Sequence, residues 1–121
     1  MMTLVVGCSH ERATPTMSPG TGAISGQLQD TNERPFDLDQ AGPGGSALRI
    51  DLISGGGGVI ATTRPLKDQP AFVFNNVPPG QYELSAYANV PGERTIAANQ
   101  PVTVDAGEIA NVKLQLEVTK Q

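Results

Sequence analysis

The chain predicts an all-β fold, a single antiparallel β-sandwich of about seven strands. Three observations carry that prediction. From position 22 onward the apolar residues recur with period two rather than 3.6, the pattern of a strand with one dry and one wet face. Gly 14 and Pro 10 make up about a fifth of the 121 residues, against roughly 12% in ordinary chains, and helix interiors tolerate neither. No segment keeps apolar residues at helical spacing through three turns.

The elements follow in order. In GAISGQLQD (22–30), Ile24, Gly26 and Leu28 share one face and Ser25, Gln27 and Gln29 the other. TNERPFDLDQAGPGG (31–45) is the longest break and reads as a loop. In ALRIDLIS, Leu48, Ile50 and Leu52 point one way and Arg49 and Asp51 the other. Four glycines, 55–58, then lead into VIATTR; they suit a hairpin, because glycine reaches positive φ without strain. A phosphate-cradling loop is the other reading of such a run, but no Lys follows at the required spacing and no helix pattern opens after it.

The stretch FVFNNVPPGQYEL (72–84) holds three of the five aromatic residues. Pro78 and Pro79 have no place in a central strand, and Gly80 suits an unusual backbone angle, so two strands meet here through a tight loop. Alternation turns Phe72, Phe74, Tyr82 and Leu84 inward, with Val77 plugging the loop end; the Tyr82 hydroxyl then needs a backbone or solvent partner. Val102 and Val104 alternate on a further strand. The last strand is expected to carry Val112, Leu114, Leu116 and Val118 on its buried face, which would specify its register strongly.

Composition narrows the function classes. The net charge is −4, with pI ≈ 4.7, and no cluster of Lys or Arg exists to neutralise phosphates, so a nucleic-acid partner is not expected. Cys8 is the one cysteine and His10 the one histidine. A nucleophile–base–orienter triad or a zinc site therefore lacks its parts. Asp37 and Asp39 could share a hard cation with Asp30 or Glu33, but no calcium-loop spacing is present, and a solvated acidic loop is the ordinary reading. No cofactor, metal or catalytic residue is expected, and the chain reads as a non-enzyme. Two aromatics fall outside the core pattern: Tyr87, outward by parity, and Phe36, in the long loop. Both are read as edge filler or, with Arg34 or Arg94, as a small surface for contact with a ligand or partner.

The N-terminal run Leu4-Val5-Val6-Gly7-Cys8 resembles the lipobox of bacterial lipoproteins, in which a short apolar run ends in a small residue and a cysteine. The resemblance implies that Cys8 becomes the lipid-modified first residue and holds the protein to a membrane. A secretory signal needs a basic segment and about 7–15 apolar residues; here nothing basic precedes Thr3 and the apolar run is only Leu4 to Val6, so the signal is expected to continue upstream of Met1. Residues 1–8 thus read as a truncated signal. Residues 9–21 are rich in Ser, Thr, Pro and Gly and read as a flexible tether. Residues 22–121 are the domain. Ser9 stands where an Asp would imply inner-membrane retention, which favours the outer membrane.

The order GAISGQLQD, ALRIDLIS, AFVFNNVPPGQYELSA, PVTVDAGEIANVKLQL resembles the carboxypeptidase regulatory-like domains, with Phe74 through the Pro-Pro-Gly turn to Tyr82 and Leu84 as the strongest element. The resemblance spans about residues 22–118 and implies a prealbumin-like Greek-key sandwich, an accessory module of secreted or envelope proteins without catalytic residues. Related collagen-adhesin repeats form a Lys–Asn isopeptide bond. Here the first strand has no Lys, Ala86 stands where those repeats place an acid, and Asn111 lacks partners, so no such bond is expected. Starch-binding relatives stack sugars on Trp, which this chain lacks. Together these readings describe a non-catalytic, lipid-anchored cell-envelope module that contacts an unidentified envelope protein or serves envelope architecture. The alternative is a carbohydrate-binding module using Tyr87 and Phe36.

Overall fold

The computed structural model describes residues 17–67 and 69–120. Cys8, His10 and the rest of residues 1–16 lie outside them. The alternation of the sequence becomes eight strands: β1 Gly22–Gln29, β2 Arg49–Ser54, β3 Val59–Thr63, β4 Ala71–Val77, β5 Gly80–Val90, β6 Arg94–Val104, β7 Ile109–Gln115 and β8 Glu117–Lys120. The one helical element among the described residues is a 3-10 turn, Pro43–Gly45. The strands form a three-stranded sheet, β4-β1-β7, and a five-stranded sheet, β3-β2-β5-β6-β8, packed as an all-β sandwich.

The core lies between the sheets where alternation places it. Ile24, Leu28, Phe72, Phe74 and Leu114 from the smaller sheet meet Ile50, Leu52, Leu84, Ala86 and Ile96 from the larger, all buried. Phe72 and Phe74 pack edge to face, with ring centroids 5.9 Å apart and an interplanar angle of 75°, the arrangement that a ring quadrupole favours. Gly26 allows this: the Phe72 ring lies directly over it, and an added Cβ would come within 2.0 Å of ring atom Cζ.

The Pro-Pro turn between β4 and β5 behaves as its residues require. Gly80 has φ 156, a region that L side chains rarely adopt. The Tyr82 hydroxyl donates to the Pro78 carbonyl at 2.5 Å and ties the turn to the start of β5. The ring itself is half-buried against the core rather than enclosed. The paired asparagines also acquire a role. Asn76 sits in the left-handed region, φ 54, which Asn tolerates better than most residues. The register with β1 slips there, so that Gly22 faces Val77 while Ile24 faces Phe74. The freed Asn76 Oδ1 accepts the Ser18 amide at 2.8 Å. With Thr21 O accepting the Gly107 amide at 2.9 Å, this bond holds residues 17–21 to the end of the sandwich.

The structure differs from the sequence expectation at four places. The pairing is not wholly antiparallel: β1 and β7 run parallel, Ala23 opposite Ile109 through Gln29 opposite Gln115. The expected last strand is two. Its chain bends at buried Leu116, whose amide bonds the Gln29 carbonyl at 2.8 Å, and then crosses to the larger sheet to pair with β6. Val118 consequently sits 37% exposed on a strand at the sheet's edge, where three strands opposite cannot cover five. β5 and β6 form an eleven-on-eleven-residue hairpin, Gly80 opposite Val104 through Val90 opposite Arg94, longer than the alternation of Val102 and Val104 suggested. Finally, the loop read at 31–45 is not a surface excursion. Phe36, Leu38 and Ala41 are buried, and the Phe36 amide bonds the Leu28 carbonyl at 3.0 Å, so the loop folds back and closes one end of the sandwich.

Candidate functional site

The sandwich offers two outer sheet faces and two ends. On the outer face of the larger sheet, Tyr87 is 50% exposed in the middle of β5. Its cross-strand neighbours are Arg49 on β2 and Ala97 on β6, with Glu117 beyond Ala97 on β8. The alanine leaves one flank of the ring low and open. Arg49 is itself held by Asp51, Nε to Oδ1 3.4 Å, and Asp51 also accepts the Thr62 hydroxyl at 2.8 Å. The row is thus a flat platform: one aromatic ring, one cation steadied by a carboxylate, and small polar side chains such as Ser85.

Phe36, paired with Tyr87 in the sequence reading as a contact residue, does not belong to this surface. It is 3% exposed and part of the core. The spacing of PFDLDQA, with Phe36 and Leu38 apolar and Asp37 and Asp39 alternating with them, carried the signal of a strand-like segment packed on one side. Arg94, the other suggested neighbour, reaches away to the Gln40 carbonyl at 2.9 Å and pairs with Glu93 at 3.4 Å. Of the two aromatics in the proposed contact patch, Tyr87 is on the surface; Arg34 is also exposed, in the loop after β1. Cys8, the lipidation candidate, lies outside the described residues.

Two recesses among the described residues stand out, and neither includes Tyr87. One, about 290 Å³, lies over β1 and β4 and is lined by Ser25, Gln27, Gln29, Val73 and the Pro35 and Leu66 connections. The other is an open trough of about 660 Å³ beside the glycine hairpin, with Ile53, Gln81, Glu83, Pro101 and Thr103 along it. Ligand sites usually enclose about 300–1,000 Å³ and converge a few polar groups on one point; the first recess is at the small limit and the second is a trough rather than a pocket.

The acidic loop is organised by its own backbone. Asp30 Oδ1 accepts the amides of Asn32 at 2.8 Å and Arg34 at 3.0 Å, and Asp37 Oδ1 accepts that of Asp39 at 3.1 Å. These are turn-forming bonds typical of aspartate. Among the described residues no group of three or more His, Cys, Asp or Glu side chains converges as a metal site would require. The glycine run 55–58 closes the β2–β3 hairpin: the Ser54 amide bonds the Gly58 carbonyl at 2.8 Å, and Gly57 takes φ 95. Compared with known proteins, the chain matches no family model and no curated sequence.

Proposed function

We propose that this chain is a non-catalytic, lipid-anchored module of the bacterial cell envelope, held to a membrane through Cys8 and serving protein–protein contact or envelope architecture. The observation that carries the reading is the juxtaposition, in one short sequence, of Leu4-Val5-Val6-Gly7-Cys8, a polar segment, and a sandwich. A thiolate is a good nucleophile for thioether formation, and a small residue before it leaves room for a peptidase. The likeness of residues 22–118 to carboxypeptidase regulatory-like domains supports an accessory role beside that anchor. The outer membrane is the favoured address because Ser9 follows the cysteine.

The test is direct. Cells expressing the natural reading frame are fed a labelled fatty acid, fractionated, and the protein is isolated. Label on the wild-type chain, absent from Cys8→Ala, with loss of that variant from the membrane fraction, is the expected result. Unlabelled wild-type protein in the soluble fraction refutes the reading.

Tyr87 supports a second reading, a carbohydrate-binding face. A half-exposed ring with an alanine on one flank and Arg49 on the other is suited to stacking on a sugar. Saturable binding on a glycan array, abolished in Tyr87→Ala, would favour it; a blank array leaves the protein-contact reading.

A further inference from the structure

The two ends of the sandwich differ in character. At one end lie Gly22, Val77, Gly80, Val104 and Ile109, which strand register and the β4–β5 and β6–β7 connections bring together. The glycine hairpin joins them there, since Ser54 pairs with Tyr82 next to Gly80. Residues 17–21 are fixed to this same end by Asn76 and Gly107. Four of the large apolar side chains exposed among the described residues, Met17, Val59, Ile60 and Ile109, belong to it. Val59 and Ile60, beside the hairpin, are 55% and 48% exposed. Its charges among the described residues are acids, Asp105 and Glu108 in the β6–β7 turn and Glu83 beside the glycine hairpin.

The described cations are elsewhere. Arg49 and Arg94 begin their strands at the opposite end, Arg64 and Lys67 follow β3 there, Arg34 lies in the loop that closes it, and Lys120 pairs with Arg94. Lys113 pairs with Gln27, which faces Ala71 at the start of β4, and so also falls in that half.

We propose that the end bearing Val59, Ile60, Met17 and Ile109 faces the bilayer and dips its apolar tip into the lipid–water interface. The inference rests on the lipid-anchored reading above and adds an orientation to it. Chain length carries it. With Cys8 in the membrane and Met17 fixed on the domain, nine Cα–Cα steps separate them, and that span reaches at most about 32 Å whatever its conformation. β5, eleven residues and hence ten rises long, extends roughly 34 Å. Turning the opposite end to the membrane would leave Met17 at or beyond the limit of a fully stretched tether, so the end that bears Met17 is the one held close. The end that is held close is also the one that carries exposed valine and isoleucine. The acids there give no attraction to anionic lipid, so the contact is apolar and favours a neutral surface.

The test uses the full chain, lipidated in cells and reconstituted in neutral phosphatidylcholine vesicles containing a nitroxide lipid. With Cys8 blocked by its lipid, a single environment-sensitive fluorophore is placed through Gly56→Cys at the hairpin or through Thr31→Cys at the far end. Position 56 is open, with no atom within 4 Å of an added Cβ. Quenching at 56 several-fold above that at 31 is expected, falling at least twofold when Val59→Ser and Ile60→Ser are added. Equal quenching at the two positions in protein whose lipid is confirmed by mass overturns the orientation and leaves the anchor intact. Mass spectra without lipid on Cys8 overturn the anchored reading and the inference with it. If position 56 is unquenched in vesicles yet shielded from aqueous labelling in native envelopes, a protein covers this end and the bilayer contact is refuted.

Discussion

A methyl group at position 26 tests the packing on which the smaller sheet depends. In the interior of a strand, replacing glycine by alanine ordinarily gains about 0.4–1 kcal/mol by reducing unfolded-chain entropy. At Gly26 the new Cβ would stand 2.0, 2.2 and 2.6 Å from Cζ, Cε1 and Cε2 of Phe72. Ordinary carbon contacts need about 3.5–4.0 Å, so the ring must retreat by roughly 1.5 Å. It has nowhere to go: Phe72 is fully buried and already meets the Phe74 ring edge to face. Overpacking of this kind costs about 1–3 kcal/mol. Net of the entropy gain, Gly26→Ala should destabilise the domain by about 1 kcal/mol, or a fall in Tm of about 4–8 °C for a domain of this size. Urea unfolding followed by far-ultraviolet circular dichroism measures it.

The decisive measurement is a double-mutant cycle. The three clashing atoms lie beyond the point where a leucine side chain ends. Phe72→Leu should cost about 1–2 kcal/mol for lost packing, and Gly26→Ala in that background should then show only the entropy gain of about 0.4–1 kcal/mol. The two substitutions should thus couple by about 2 kcal/mol with opposite sign to their individual effects. If Gly26→Ala costs the same beside Leu as beside Phe, the clash is not its cause and the packing argument fails.

Burial and hydrogen bonding elsewhere in the sandwich set further outcomes. Phe36→Ala should lose about 3–5 kcal/mol as a core deletion, whereas Tyr87→Ala should stay within about 0.5 kcal/mol of wild type; similar urea midpoints for the two would contradict their opposite burial. Tyr82→Phe removes the hydroxyl bond to Pro78 and should cost about 1 kcal/mol at unchanged m-value, which chemical denaturation resolves. Asn76→Gly keeps the left-handed angle but loses the acceptor for Ser18. Amide hydrogen exchange at Ser18 should accelerate at least several-fold while global stability changes by under about 1 kcal/mol; unchanged Ser18 protection would show that Asn76 does not hold the segment.

The candidate site was legible in part. Tyr87 could be placed outward from parity alone, because a strand's side chains alternate whatever the strand pairs with. Phe36 could not be placed by the same means. It lies in a segment with no regular partner, and its burial comes from the loop turning back to Leu28, with only the faint Phe36-x-Leu38 alternation to announce it. The Ser18–Asn76 contact joins residues 58 apart and had no local signal at all.

What the amino-acid order decided by itself was the all-β class, the inward faces of β1, β2, β4 and β5, the hairpin at the four glycines and the turn at Pro78-Pro79-Gly80. Each follows from period, from φ preference or from a missing amide donor, which are properties of a residue and its immediate neighbours. Only the tertiary structure decided that β1 and β7 run parallel, that the last apolar run divides at Leu116 between two sheets, and that Phe36 fills the core. Those choices depend on which distant backbone offers free hydrogen-bonding groups and which apolar surface is still uncovered when the chain arrives. Alternation says which side of a strand is dry, but not which other strand keeps it dry.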